Sequence, residues 1–192
     1  MNRATSPTGW ARNPDGSQGL SPQYIAGFFD GEGCAMVLTI RRITGGKVTY
    51  RFRPVIKIHQ KTQGVLTQIM NTVGCGHIDK APSGFAYIIN GLDGVLNFAD
   101  NIGPHAIVKH NALVSLRAVA RLQKDNHGHN QPYSRLLFGT LLNLRDDVFR
   151  ANQQTRTGLK QKYNSATILA EQSFVDDIQA WQKNRMRGIH HE

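Results

Sequence analysis

The chain has 192 residues, 40% of them apolar, with 23 Lys and Arg against 13 Asp and Glu and a formal net charge of +10. That length suits one ordinary domain with an appendage, and that apolar fraction excludes wholesale disorder. Two cysteines, Cys34 and Cys75, exclude a disulfide framework and a four-cysteine zinc site. No apolar run reaches the roughly 18 residues of a membrane span, and the charge points to a polyanion, nucleic acid before an anionic membrane surface.

Residues 1–20 are polar and rich in Gly, Pro and Ser, which predicts a flexible arm without the apolar stretch of a signal peptide. The remainder, 21–192, is expected to form a single domain with a core at 21–125 and a helical part at 134–187. Ser21-Pro22 marks a helix start, with Ser21 as N-cap and Pro22 at the first helical position. The helix predicted over Pro22–Asp30 carries Tyr24, Ile25, Ala26, Phe28 and Phe29 almost all round, so it is expected to be buried on every side. Gly31-Glu32-Gly33 should end it.

Residues 34–43 read as a strand and Gly45-Gly46 as its turn. Residues 48–59 alternate: Val48, Tyr50, Phe52, Ile56 and Ile58 point one way, and Thr49, Arg51, Arg53, Lys57 and His59 the other. Pro54 interrupts the apolar set and implies an edge or a bulge. A helix follows at Thr62–Val73, then a second hairpin at His77–Lys80 and Phe85–Asn90. Further helices are expected at Leu92–Asn101, 109–124, 134–150 and 173–186, with a loop at 125–133 and a polar cationic stretch at 151–164. The pattern is α+β, with antiparallel strands and helices on one face.

Charge is distributed unevenly. From Cys34 to Ile78 there is no Asp or Glu, while Arg41, Arg42, Lys47, Arg51, Arg53, Lys57 and Lys61 fall in that stretch. A solvated surface normally mixes both signs, so a one-signed stretch favours a phosphate-binding face. On the strand 34–43 alternation groups Ala35, Val37, Thr39 and Arg41 against Cys34, Met36, Leu38, Ile40 and Arg42, and does not say which group faces outward. Just before it, Gly27 and Gly31 share a helix face and permit close approach of a second helix. Asp30 and Glu32 lie at the negative end of the helix dipole, where a divalent cation would reverse the penalty on their charge. Carboxylate oxygens and a carbonyl such as that of Gly31 are hard ligands suited to Mg²⁺. His127, His129, His190 and His191, or Cys75 with His77, show no zinc-finger spacing.

The segment Ile25-Ala26-Gly27-Phe28-Phe29-Asp30-Gly31-Glu32-Gly33 resembles the signature of LAGLIDADG homing endonucleases, in the variant ending Asp-Gly-Glu-Gly. The resemblance implies the α-β-β-α-β-β-α homing-endonuclease fold, an antiparallel sheet saddle here followed by extra C-terminal helices. It implies an intron-encoded, intracellular enzyme that makes a double-strand break in a long pseudo-palindromic DNA target by metal-dependent phosphodiester hydrolysis. The cofactor implied is Mg²⁺, with Mn²⁺ or Ca²⁺ able to take its place. Single-motif members act as homodimers whose motif helices pack side by side, which implicates Ala26, Gly27, Asp30 and Gly31 in the dimer interface. Leu96–Asp100 is only a faint echo of a second motif.

The resemblance also implies roles residue by residue: Glu32 and Gly31 at the metal, Gln60 orienting an attacking water, and Lys109 stabilising charge on the phosphate. The expected DNA contacts are Arg41, Arg42, Thr49, Arg51, Arg53, Lys57, His59, Lys61 and Lys80, with Asn90 and the late cations Arg156, Lys160 and Lys162 as weaker ones. No membrane or small-molecule substrate is expected. The competing reading is a non-cleaving nucleic-acid-binding protein, such as an RNA maturase assisting intron splicing.

Overall fold

The computed structural model describes residues 19–126, 133–155 and 163–174. Most of the predicted arm, the centre of the 125–133 loop, the three late cations and most of the last predicted helix lie outside the described residues. The elements run α1 (Pro22–Glu32), β1 (Gly33–Thr44), β2 (Lys47–Gln60), α2 (Gly64–Val73), β3 (His77–Ala81), β4 (Gly84–Ile89), α3 (Leu92–Ile102), a 3-10 turn (Gly103–His105), α4 (His110–Asn126), α5 (Arg135–Thr155) and α6 (Ser165–Glu171). The strands form one antiparallel sheet in the order β1-β2-β4-β3.

Ser21 caps α1 as expected, its hydroxyl accepting from the Tyr24 N–H at 3.2 Å. The helix runs two residues past the predicted end, because its cap is Gly33, whose N–H returns to the Phe29 carbonyl. A Cβ at Gly33 would collide with the Phe29 ring and carbonyl, so the chain can turn from helix into strand there only with glycine. The helix is not buried on every side. Ile25, Ala26 and Phe29 are fully buried, but Tyr24 is 50% exposed and Gly27 and Gly31 lie on the surface beside it.

β1 and β2 pair in one unbroken register, from Gly33↔Ile58 to Thr44↔Lys47. The turn between them places Gly45 and Gly46 at φ 54° and 75°, the left-handed conformation that a two-residue hairpin turn requires. Pro54 therefore marks an edge and not a bulge. β4 pairs with β2 only over 56–60, which leaves residues 47–55 with an open side. That side is closed by other groups: Ser173 N–H on the Val48 carbonyl, Gln172 Oε1 on the Tyr50 N–H, and Gln123 Nε2 on the Phe52 carbonyl. Pro54 follows in the same alternation and has no N–H to satisfy.

The helices cover one face of the sheet. Ile25, Phe29, Ile56, Ile58, Leu66, Ile69, Tyr87, Phe98, Leu113 and Leu116 form the main core. A second cluster of Tyr50, Phe52, Val119, Tyr133, Phe138, Leu141, Leu142 and Ile168 joins α4, α5 and α6 to the far half of β2. The sequence did not anticipate α6. It is one short segment with Asn164 as its N-cap, placed by the burial of Ile168 and not by a long periodic pattern. No described helix is long and apolar enough to cross a membrane.

Candidate active site and nucleic-acid interface

The acid end of α1 meets the start of α4. The Asp30 carboxylate accepts from three successive main-chain N–H groups, those of Ile107 at 2.7 Å, Val108 at 3.1 Å and Lys109 at 2.9 Å. These three N–H groups lie in the segment that leads into α4, which starts at His110, so Asp30 pins the entry to that helix from 77 residues away. In return the Lys109 ammonium donates to the Asp30 carbonyl and lies 5.9 Å from the Phe29 ring centroid. Lys109 is buried, and burial lowers its pKa below the usual lysine range, against the pull of Asp30, Cys34 and Glu32. This lysine offsets part of the negative charge that a helix C-terminus and two carboxylates concentrate there.

Glu32 is exposed at the last residue of α1. Beside it are the carbonyls of Gly31 and Glu32, which no further helical turn can use. Gln60 ends β2 two residues beyond Ile58, the partner of Gly33, so it stands at the edge of the sheet where α1 enters. Its side-chain oxygen accepts from the Lys61 N–H at 2.7 Å, and Gly84 packs onto its carbonyl so closely that a Cβ there would clash. The structure thus places Lys109 against the helix that ends in Gly31 and Glu32, and puts Gln60 at the end of the strand that pairs with Gly33.

The sheet face opposite the helices is the second part of the site. Register resolves the orientation of β1: Ala35, Val37, Thr39 and Arg41 lie on the helix side, and Cys34, Met36, Leu38, Ile40 and Arg42 face outward. Across from the outward set stand Lys57, Val55, Arg53, Arg51 and Thr49 in turn. His59, opposite Ala86, extends the row, its Nε2 3.3 Å from the Ser83 hydroxyl. Arg53 is exposed, whereas Arg51 is half-buried and its guanidinium carbon lies 4.8 Å from the Tyr133 ring centroid. Tyr133 is itself fixed, its hydroxyl accepting from Gln123 Nε2 at 2.9 Å and its ring packed among Phe52 and Phe138.

Arg41, Lys80 and Ala26 are placed elsewhere than expected. Arg41 pairs with Tyr50 in the register, which puts it on the helix side, and its Nε donates to Glu171 Oε2 at 2.8 Å. The Tyr50 hydroxyl donates to the same oxygen at 2.6 Å. Those two hydrogen bonds hold the Glu171 carboxyl below its ordinary pKa. Lys80 pairs with Phe85, one residue out of step with the outward row and on the side of Ile78 and Tyr87. Ala26 is fully buried in its own core and is closed to a second chain. Asp30, also expected at the dimer interface, has its carboxylate occupied by the main-chain N–H groups of 107–109. Lys61 is exposed just past the end of β2, and Asn90 is exposed just past β4.

Residues 25–102 match the family of LAGLIDADG endonucleases. Its fold resembles that of the archaeal intron-encoded homing endonuclease I-Vdi141I, solved with DNA, at 23% identity over 84% of this chain and 96% of that one, with a TM-score of 0.61. It also resembles the homing endonuclease I-CvuI, solved with a DNA target in the presence of Mg, at 15% identity over 78% of this chain and 90% of that one, with a TM-score of 0.61. The homing endonuclease I-TnaI aligns at 19% identity over 72% of this chain and 99% of that one, with a TM-score of 0.55. No curated protein sequence matches significantly. Within the matched segment α1 is the motif helix, and its two acids sit in different settings: the Asp30 carboxylate accepts from the main chain at 107–109, and Glu32 is exposed.

Sequence reasoning missed three participants. Tyr133 and Glu171 lie far along the chain from the arginines they hold. The role of Asp30 left no local signal, because the N–H groups its carboxylate accepts from lie 77–79 residues further along the chain.

Proposed function

We propose that this chain is a site-specific DNA endonuclease that works as a homodimer and cleaves both strands by metal-dependent phosphodiester hydrolysis. The observation that carries the reading is the exposed Glu32 carboxylate at the end of the motif helix, beside an outward sheet face that carries Arg42, Arg51, Arg53 and Lys57. Glu32 and the Gly31 carbonyl are hard oxygen donors and fit a Mg²⁺-class cation, but they are fewer than its six ligands. Among the described residues no group of three or more His, Cys, Asp or Glu can hold a metal within one protomer. The remaining oxygens would be supplied by a second copy's Glu32 and by the DNA phosphate. Such a cation, when bound, neutralises phosphate charge and makes water a better nucleophile.

The chain's own groups do the rest. In hydrolysis a water oxygen bonds to phosphorus as one ester P–O bond breaks. Gln60 orients that water with its side-chain amide. Lys109 is held against the motif helix by Asp30 and offsets the negative charge that builds on the phosphate. Thr49, Arg51, Arg53, Lys57, His59 and Arg42 seat a duplex on the sheet face. The open side of α1, with Tyr24, Gly27 and Gly31, packs against its counterpart.

The test is cleavage of joined-exon DNA flanking the gene, with and without Mg²⁺. Wild type should cut only with the cation. Glu32→Gln should abolish cutting and leave DNA binding largely intact. Cutting at the normal rate by Glu32→Gln would remove the assignment.

A further inference from the structure

The outward sheet face has two tracks of different chemistry. β2 offers Thr49, Arg51, Arg53 and Lys57, with a buried Val55 between the last two, while β1 offers Ile40, Leu38 and Met36, paired with Arg51, Arg53 and Val55. Leu38 is 43% exposed on a sheet that has room for apolar residues on its other side. Ile40 and Met36 are half-buried in the same row, and Leu38 pairs with Arg53. Leu38 is thus left partly open to water beside Arg53, and no described helix packs on this face. We infer that this row is a base-reading track for thymine methyl groups. This rests on the DNA reading above and names the sequence character of the substrate.

The chemistry leaves little else for the row to read. Met36, Leu38 and Ile40 offer no strong donor or acceptor, so they cannot discriminate bases by hydrogen bonds. In the major groove the one apolar mark on a base edge is the C5-methyl of thymine. The cationic β2 track brings the polyanion to this face, so duplex DNA is the occupant that matches its charge. Alternate strand residues lie about 6.6–6.8 Å apart. Base pairs step by about 3.4 Å. The row should therefore address thymines roughly two pairs apart in each half-site. The arginines opposite should favour guanine on the neighbouring track.

The experiment selects duplexes from a randomised pool with the full chain, under Ca²⁺ so that bound DNA is recovered whole. The best duplex is then resynthesised with deoxyuridine in place of thymidine at one pair at a time, which removes a methyl and nothing else. Enriched T·A pairs at that spacing are expected. Each deoxyuridine there should weaken binding about threefold to fourfold, the worth of one buried methyl. Leu38→Ala should erase the effect at one pair and keep it at the others. Ile40→Ala should do the same at a different pair, so the result does not hang on one variant. Binding indifferent to deoxyuridine everywhere, or a methyl effect unchanged in both variants, would overturn the track while leaving the DNA reading intact. Failure to enrich any duplex would overturn both.

Discussion

Asp30 and Glu32 are two residues apart, yet their surroundings give them opposite duties. Three N–H groups converge on the Asp30 carboxylate, so its removal frees the segment before α4 and leaves those donors for water. Asp30→Ala should cost about 1.5–3 kcal/mol of stability in a urea titration, in line with the loss of hydrogen bonds to a charged acceptor. Asp30→Asn keeps one acceptor oxygen and should cost less. Glu32→Gln removes no such bond and should leave the urea midpoint near that of wild type. Lys109 adds a pH signature. Its pKa is lowered by burial, so the unfolded chain holds this proton more tightly than the folded one. Its contribution to stability should therefore rise with pH, from its folded pKa up to the ordinary lysine value near 10.5. Lys109→Met should flatten that rise; an unchanged slope between wild type and variant would show that the buried ammonium is not its source.

At the scale of elements, Arg51 and Arg53 share a strand face but not a fate. Arg53 is exposed, while Arg51 lies on Tyr133, which Gln123 anchors to α4. Such stacking contributes about 0.5–2 kcal/mol and fixes the plane in which a guanidinium meets a base. Tyr133→Leu should therefore weaken guanine preference at the pair read by Arg51 and spare the pair read by Arg53. Tyr133→Phe should keep both, as target-variant binding profiles will show. Strand β2 was legible because its alternation is local, and the face bearing Thr49, Arg51, Arg53, Lys57 and His59 follows from one run of sequence. Strand β1 was not. Val37 and Leu38 are equally apolar, and only pairing with β2 and the helices behind it decides which one is covered. The same ambiguity misplaced Arg41, whose partner Glu171 is 130 residues away. That latch has its own sign. The Glu171 pKa is lowered, so its stabilising effect is present above the usual value of 4.5 and lost as pH falls through the folded one. Limited proteolysis near Ser173 should speed up over that acidic window, and Glu171→Ala should show the faster cutting at neutral pH.

For the whole molecule, one protomer presents an incomplete site and an incomplete surface. Tyr24 is 50% exposed, and Ile107 and Val108, held beside the end of α1 by Asp30, are 87% and 53% exposed. A Cβ at Gly27 or Gly31 would meet nothing within 4 Å, so the glycines serve no packing need inside this chain. Their place on an exposed helix face makes sense if another backbone comes close, and a second copy brings the second Glu32 with it. The protein should sediment as a dimer at micromolar concentration without DNA, and its Tm should rise with protein concentration. Gly31→Arg puts a long charged side chain on that face without disturbing the protomer's own core. It should give a folded monomer by sedimentation, with far-UV circular dichroism unchanged and double-strand cleavage lost. Because each half-site would then be held by separate protomers, duplex binding should also weaken, and the slope of log affinity against log salt should fall to about half. A wild-type chain that sediments as a monomer with and without DNA, and still cuts both strands, would show that the open face of α1 has some other occupant.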